Sequence, residues 1–209
     1  MKNVINCLVN HNEYINSKLK EVSVEEGLVI AEELFQILNK RGDGIGLAAN
    51  QVGIDAQVAV VNVREPLVLI NPKYVKKENE IMYGEGCLSF PGHTIRTKRY
   101  RDIIISTEQS ESDWYFTGAE ENSDGKSVWD EGNMNQDREN RLLEAVCIKH
   151  EIDHLNGITI NDREMKLEPT KVEKKIGRNQ LVTIKKGDAV KVLKYKKVQN
   201  FLNQGWKIR

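Results

Sequence analysis

The sequence predicts an α+β fold, with antiparallel strands packed around a central helix that carries metal-ligand side chains. Three observations carry that reading. An amphipathic helical pattern occupies residues 24–40. Apolar, β-rich runs follow at residues 57–64, 67–75 and 95–107. A second helical pattern runs from Asp137 to Asn156-Gly157 and contains His150-Glu151-Ile152-Asp153-His154.

In the first helix Val24, Leu28, Ala31, Leu34, Phe35 and Leu38 recur at three- and four-residue steps. Ser23 is its expected N-cap, and Arg41-Gly42-Asp43-Gly44 its stop. The next stretch, GIGLAANQVG, is small and apolar with three glycines. Two buried strands follow, divided at Arg64-Glu65-Pro66. Residues 83–92 (YGEGCLSFPG) are punctuated by glycine and predict irregular backbone. Residues 95–107 read as a strand, most strongly at Ile103-Ile104-Ile105. Trp114 to Phe116 predicts a short strand within an otherwise exposed loop. Asp137 is the expected cap of the long helix and Asn156-Gly157 its C-terminal stop. Beyond it, residues 163–175 predict another helix, and residues 181–195 a hairpin through Lys186-Gly187-Asp188.

The chain has 209 residues, 31 Lys+Arg and 31 Asp+Glu, so its net charge is zero. That balance argues against a dedicated nucleic-acid binder. The distribution is uneven. Residues 107–145 carry eleven acidic and three basic side chains, and residues 163–209 carry fourteen basic and four acidic. The expected organisation is a catalytic domain over residues 1–175, with an acidic insert at about 107–136, and a basic C-terminal extension over residues 176–209. No apolar run approaches the ~20 residues that cross a bilayer. The N-terminus lacks the apolar core of a secretory signal. Cys7, Cys87 and Cys147 are too few and too scattered for a disulfide framework, so a reducing, cytoplasmic compartment is expected.

Two histidines four apart on a helix share one face, so both imidazoles can converge on one cation. Glu151 follows the first of them, close to the metal without binding it, where it can handle a water proton. A catalytic site of this kind needs a third protein ligand and an open position. Cys87, in Glu85-Gly86-Cys87-Leu88-Ser89, is the candidate. Cys147 lies seven residues before His154, about 10 Å along the helix axis, and reads as a pocket wall instead. Cys7 reads as an ordinary buried thiol. Two imidazoles with one thiolate suit iron, nickel, cobalt or zinc.

Three segments together resemble one family: Gly44-Ile45-Gly46-Leu47-Ala48-Ala49-Asn50-Gln51, Glu85-Gly86-Cys87-Leu88-Ser89 and His150-Glu151-Ile152-Asp153-His154. The chain is similar to peptide deformylases over about residues 24–175. The resemblance implies removal of the formyl group from N-formylmethionine at the start of new polypeptides, with release of formate. It implies one divalent metal ion, usually Fe2+, with Zn2+, Ni2+ or Co2+ also able to occupy the site. By motif position, Cys87, His150 and His154 are the metal ligands, and Glu151 is the general base and acid. Gln51 and the Leu88 backbone N–H hold the formyl oxygen. Ile45 and Gly46 line the peptide cleft, and Leu143, Val146 and Cys147 the methionine pocket. In that chemistry a metal-bound hydroxide attacks the formyl carbon.

This chain also departs from the family pattern. Many members follow the cysteine motif with Pro-Glu and then an Arg near the substrate. Here the run is Phe90-Pro91-Gly92-His93-Thr94, leaving Arg96, Arg99 or Arg101 as substitutes. Arg99 has a second reading, as a partner of Glu85 that holds the metal loop. The basic extension offers a means of docking on the ribosome through RNA phosphates. A monomer is the expected state. A zinc peptidase would place its third ligand, His or Glu, downstream, yet no histidine follows His154. A module that had lost catalysis would show damage in a motif, yet Gln51, Cys87, Glu151 and both histidines are present.

Overall fold

The structure is a computed structural model in which residues 2–118, 120–121, 127–128, 136–165, 177–187 and 189–208 are described. Helix α1 spans Val24–Arg41, with Ser23 Oγ accepting from the Glu26 N–H at 3.2 Å. Gly42, at φ 73°, closes it by donating to Leu38 O. The buried face is Gly27, Ala31, Leu34, Ile37 and Leu38, rotated from the expected stripe, and Leu28 stays exposed. The cause is Gly27, where a Cβ would sit 2.7 Å from Ile70 Cδ1. Only a glycine there lets Ile70 pack against the helix backbone.

Strand β1 (Gly46–Ala48) leads into a single 3₁₀ turn, Ala49–Val52. With β2 (Val58–Asn62) and β3 (Pro66–Ile70) it forms an antiparallel sheet of order β1-β2-β3. Val58, Ala59, Val60 and Val61 are all fully buried. Both α1 and the long helix α2 (Gln136–Leu155) pack on β2, which explains its unbroken apolar run. The strand expected over residues 67–75 breaks at Asn71, whose φ is 48°. Its side chain makes two hydrogen bonds to Val22, N–H to Asn71 Oδ1 and Asn71 Nδ2 to the carbonyl, and these hold the left-handed turn.

Strands β4 (Lys73–Cys87) and β5 (Phe90–Ser106) form a long hairpin, extended by β6 (Trp114–Thr117). Residues 83–92, expected to be irregular, are the paired end of this hairpin. Gly86 pairs with Thr94, and the register shifts between Gly86 and Cys87 so that Cys87 faces Phe90. Glycine weakens a strand but keeps its N–H and C=O, so a ladder of this length absorbs it and places a bulge there. Two-residue strands β7 (Glu120–Glu121) and β8 (Ser127–Val128) pair inside the acidic stretch.

Asp137 lies within the first turn of α2 rather than capping it, and its carboxylate accepts from Arg141 at 2.7 Å. From Glu144 to Leu155 every residue of the helix is buried. It contacts β1, β2, β5 and β6. Gly157, at φ 72°, ends it as expected. A 3₁₀ turn, Ile160–Arg163, follows. Most of the helix expected over residues 163–175 lies outside the described residues, and Glu164 instead bridges to Thr97.

Two compact units divide the chain, residues 1–165 and residues 166–209. The division expected at residues 175 and 176 falls on residues outside those described. In the second unit β9 (Leu181–Lys186) and β10 (Ala189–Lys194) form the expected hairpin. Strand β11 (Lys207–Ile208) completes a sheet of order β10-β9-β11, and Phe201 and Leu202 of helix α3 (Gln199–Leu202) pack against a small core of Val182, Ile184 and Val198. Among the described residues no helix is long and apolar enough to cross a membrane.

Candidate metal centre

Burial of the second half of α2 brings its two histidines into the core of the first unit. His154 is 1% exposed, and the rings of His150 and His154 lie 4.9 Å apart between centroids. The bulged end of β4 carries Cys87 to them, with Cys87 Sγ 3.2 Å from His154 Nε2. The ligand atoms of Cys87, His150 and His154 all lie within 4.8 Å of one another. A tetrahedral ion with two imidazoles and a thiolate requires donor spacings of about 3.3–3.6 Å. The donor set therefore fits one divalent cation.

A charged network orients these donors. His150 Nδ1 meets Glu85 Oε2 at 2.9 Å, which leaves the other ring nitrogen for a metal. Arg99 donates to Glu85 from Nε at 2.5 Å and from Nη2 at 2.9 Å, and also to Asp153. Arg163 completes the chain, with Nη2 2.7 Å from Asp153 Oδ1. Burial opposes the charge of Glu85, yet hydrogen bonds from His150 and Arg99 prevail and hold its pKa at about 2. Arg99 is 3% exposed and fills the role of Glu85 partner set out for it above. Thr97, Arg99 and Arg101 occupy alternate positions of β5 and are all buried. Polar residues at every second strand position are a sequence signal for an inward charged face; Thr97 and Arg99 belong to this network, and Arg101 pairs with Asp102. Asp153 and Arg163 were not foreseen. The signal was Asp153 itself, an acid in the buried half of a helix.

Gln51 enters from the 3₁₀ turn. Its Oε1 accepts the Ala48 N–H at 2.8 Å, so its amide N–H groups face Ser89 Oγ, 3.3 Å away, and Cys87 Sγ, 3.6 Å away. Asn50 ties the same turn to α2 by donating to His154 O at 2.7 Å. Gly46 is required for close approach: a Cβ there would lie 2.6 Å from Cys147 Sγ and would also strike Glu151 Oε1. Glu151 is 3% exposed, and its Oε2 has no hydrogen-bond partner among the described residues. Burial raises its pKa to about 7, a value at which a carboxylate exchanges protons near neutrality. Burial, followed by the Glu151 charge, pushes the Cys147 thiol up, and its Sγ contacts Ile45 O at 3.6 Å, outside the ligand cluster.

One cleft of about 460 Å³ is lined by Ile45, Gly46, Gln51, Cys87, Leu88, Leu143, Val146, Cys147, His150 and Glu151. It thus brings together every metal-ligand, catalytic and substrate-pocket candidate except His154, and it leaves out Cys7, Arg96, Arg99 and Arg101. Cys7 is half-buried rather than buried, because its segment runs over the surface and donates to Ser89 O at 2.8 Å.

An α+β fold carrying a His-Glu-x-x-His helix and a facing cysteine is the site of a mononuclear metallohydrolase. A profile of the polypeptide deformylase family matches residues 6–170. The match begins well before residue 24, where the resemblance to the family was expected to start. A peptide deformylase of Buchnera aphidicola is 36% identical over 150 residues, covering 70% of this chain and 74% of its own. One from Hydrogenovibrio crunogenus is 37% identical over 150 residues, covering 70% and 76%. Among solved structures, a Synechococcus elongatus peptide deformylase in complex with actinonin superposes with TM-score 0.61 at 29% identity, covering 79% of this chain and 80% of its own. The Thermotoga maritima peptide deformylase gives 0.60 at 25% identity, covering 79% and 98%. The chain belongs to the polypeptide deformylase family of hydrolases.

Proposed function

We propose that the chain hydrolyses the N-formyl group of N-formylmethionyl polypeptides and releases formate. The carrying observation is the buried meeting of Cys87, His150 and His154, with a Glu151 carboxylate oxygen that lacks a partner among the described residues. Cys87, His150 and His154 hold the metal, Fe2+ first, with Zn2+, Ni2+ or Co2+ compatible with the same donors. When bound, the ion lowers the pKa of a water and polarises the formyl oxygen.

The chain's own groups supply the remaining steps. Glu151 accepts the water proton as the oxygen adds to the formyl carbon, then delivers it to the departing amine as the C–N bond breaks. Gln51 is held by Ala48 so that its N–H groups meet the oxyanion together with the Leu88 N–H, each donor worth about 3 kcal/mol in the transition state. Gly46 and Leu88 narrow the space beside the formyl carbon, which bears only hydrogen, so acetyl groups are excluded. Leu143, Val146 and Cys147 form the apolar pocket for the methionine side chain. β1 is an edge strand, and the backbone at Ile45 and Gly46 offers the following residues an extended, strand-like partner that is tolerant of sequence.

The substrate arises on the ribosome, and the basic extension beyond residue 175 is proposed to dock there. The acidic insert at 107–136 and that extension are additions to a catalytic domain built around the metal-bearing helix α2. The enzyme is proposed to act as a cytoplasmic monomer. Incubating anaerobically prepared protein with formyl-Met-Ala-Ser tests the central reading. Formate and a free amine are expected. Cleavage inside the peptide, or no formate with metal bound, would refute it.

A further inference from the structure

We infer that the C-terminal unit is a docking surface for single-stranded RNA, with a cleft that takes one unstacked nucleotide. Residues 177–209 carry nine basic side chains and a single acidic one. Eight of the cations, Arg178 to Lys207, are described, and all are exposed. None of them makes an ion pair among the described residues. Two of them have other partners: Lys186 Nζ donates to Gln204 O at 2.6 Å, and Lys191 lies 5.0 Å over each of the Phe201 and Trp206 rings. A unit this small holds such repulsion at a cost in stability, and a polyanion relieves it by displacing condensed counterions.

The unit is also an ordered scaffold rather than a solvated tail. The register of β9, β10 and β11 sets Lys185, Lys194 and Lys207 on the sheet face opposite the Val182–Ile184 core. Leu181, Val190 and Val192 lie on that same face and stay exposed, giving apolar ground for riboses and bases. At one end, Lys196 N–H donates to Arg178 O at 2.9 Å and Tyr195 N–H to Gln180 O at 2.8 Å. These two bonds lay the 178–180 loop beside the Tyr195 turn and frame a cleft of about 350 Å³. Its walls are Arg178, Tyr195, Lys196, Val198, Gln199 and Leu202. They offer a ring face for a base, two cations for phosphate and an amide for a base edge, which is the equipment of single-strand binding. A duplex cannot insert a stacked base into such a cleft. The choice of RNA among polyanions rests on the deformylase reading, which puts the enzyme beside ribosomal RNA.

The test uses the full chain and a fluorescent 20-nucleotide uridine RNA, followed by anisotropy. Binding is expected to weaken roughly 50-fold between 50 and 200 mM salt if four phosphates are neutralised. The triple variant Lys194→Gln, Lys196→Gln, Lys197→Gln is expected to bind at least about tenfold more weakly, with a flatter salt dependence. Tyr195→Ala should lose about tenfold with its salt slope unchanged, and Tyr195→Phe should retain binding. No RNA binding, variants equal to the parent, or equal affinity for duplex DNA or for phosphatidylserine vesicles would each overturn the inference. Turnover of formyl-Met-Ala-Ser is expected to be unchanged in every variant. Loss of that turnover in the parent chain would strike the deformylase reading, and RNA anisotropy is read independently of it.

Discussion

Glu151 takes its chemistry from its surroundings. A surface glutamate is ionised at neutral pH, whereas burial here raises the pKa to about 7. Removing that group should separate catalysis from metal binding. Glu151→Ala is expected to lose at least about 100-fold in kcat, the lower end of general acid–base contributions. Its metal content, measured by plasma emission, should stay at the parent level. Cys87→Ala should instead lose the ion, and its turnover with it. Turnover retained in Glu151→Ala would contradict its role. Arg99 acts at one remove, since its guanidinium neutralises both Glu85 and Asp153 inside the core. Arg99→Ala takes the shared cation from two buried carboxylates, leaving Glu85 with His150 and Asp153 with Arg163, and is expected to cost about 3 kcal/mol, read from urea unfolding. It should also weaken metal affinity by about 10- to 100-fold, because Glu85 orients His150. Unchanged metal content in that variant would show that the network is structural only.

At the scale of elements, the site depends on how closely β1 approaches α2. Gly46→Ala adds one methyl group facing Cys147 Sγ and Glu151 Oε1. The expected outcome is a displaced β1, a loss of about 1–3 kcal/mol from overpacking, and a fall in kcat/KM well beyond that stability change. Thermal melting and steady-state kinetics together check this, and a variant with parental kcat/KM would remove the close approach from the mechanism. The elements themselves were legible to differing degrees. The helix around His150, the strand at residues 103–105 and the hairpin near Gly187 followed from periodicity and turn residues. The hairpin end at 83–92 did not, because glycine spacing signals a loop unless a partner strand is present to satisfy the backbone. The buried face of α1 was misaligned for a similar reason. Periodicity ranks side chains by polarity and cannot anticipate Ile70 packing onto Gly27.

On the scale of the whole molecule, the proposed ion and the buried acids each predict a stability change. An ion held by the folded state alone stabilises it by mass action, so chelation should lower the melting temperature and re-addition of the metal restore it. A melting temperature indifferent to chelation would mean that no ion is held. Asp102 supplies a pH dependence. Burial opposes its charge, but hydrogen bonds from Arg101, Thr117 and Asn79 outweigh that and lower its pKa below the ordinary 3.8. The folded state therefore gains stability above pH 3.8 that is lost as pH falls through the depressed value. Asp102→Asn should flatten the acid limb of the melting curve below about pH 4. An unaltered acid limb would assign that loss to other groups.

The amino-acid sequence by itself determined the donors and their chemistry. Two histidines one helical turn apart share a face whatever surrounds them, and a glutamate beside the first stands near whatever they hold. Tertiary structure alone decided that Cys87 arrives from a strand end to meet them, that Arg99 links Glu85 to Asp153, and that Glu151 is dry enough to keep its proton near neutrality. Those properties depend on distances between residues far apart in the chain and on the exclusion of water, and neither exists until the strands close over the helix.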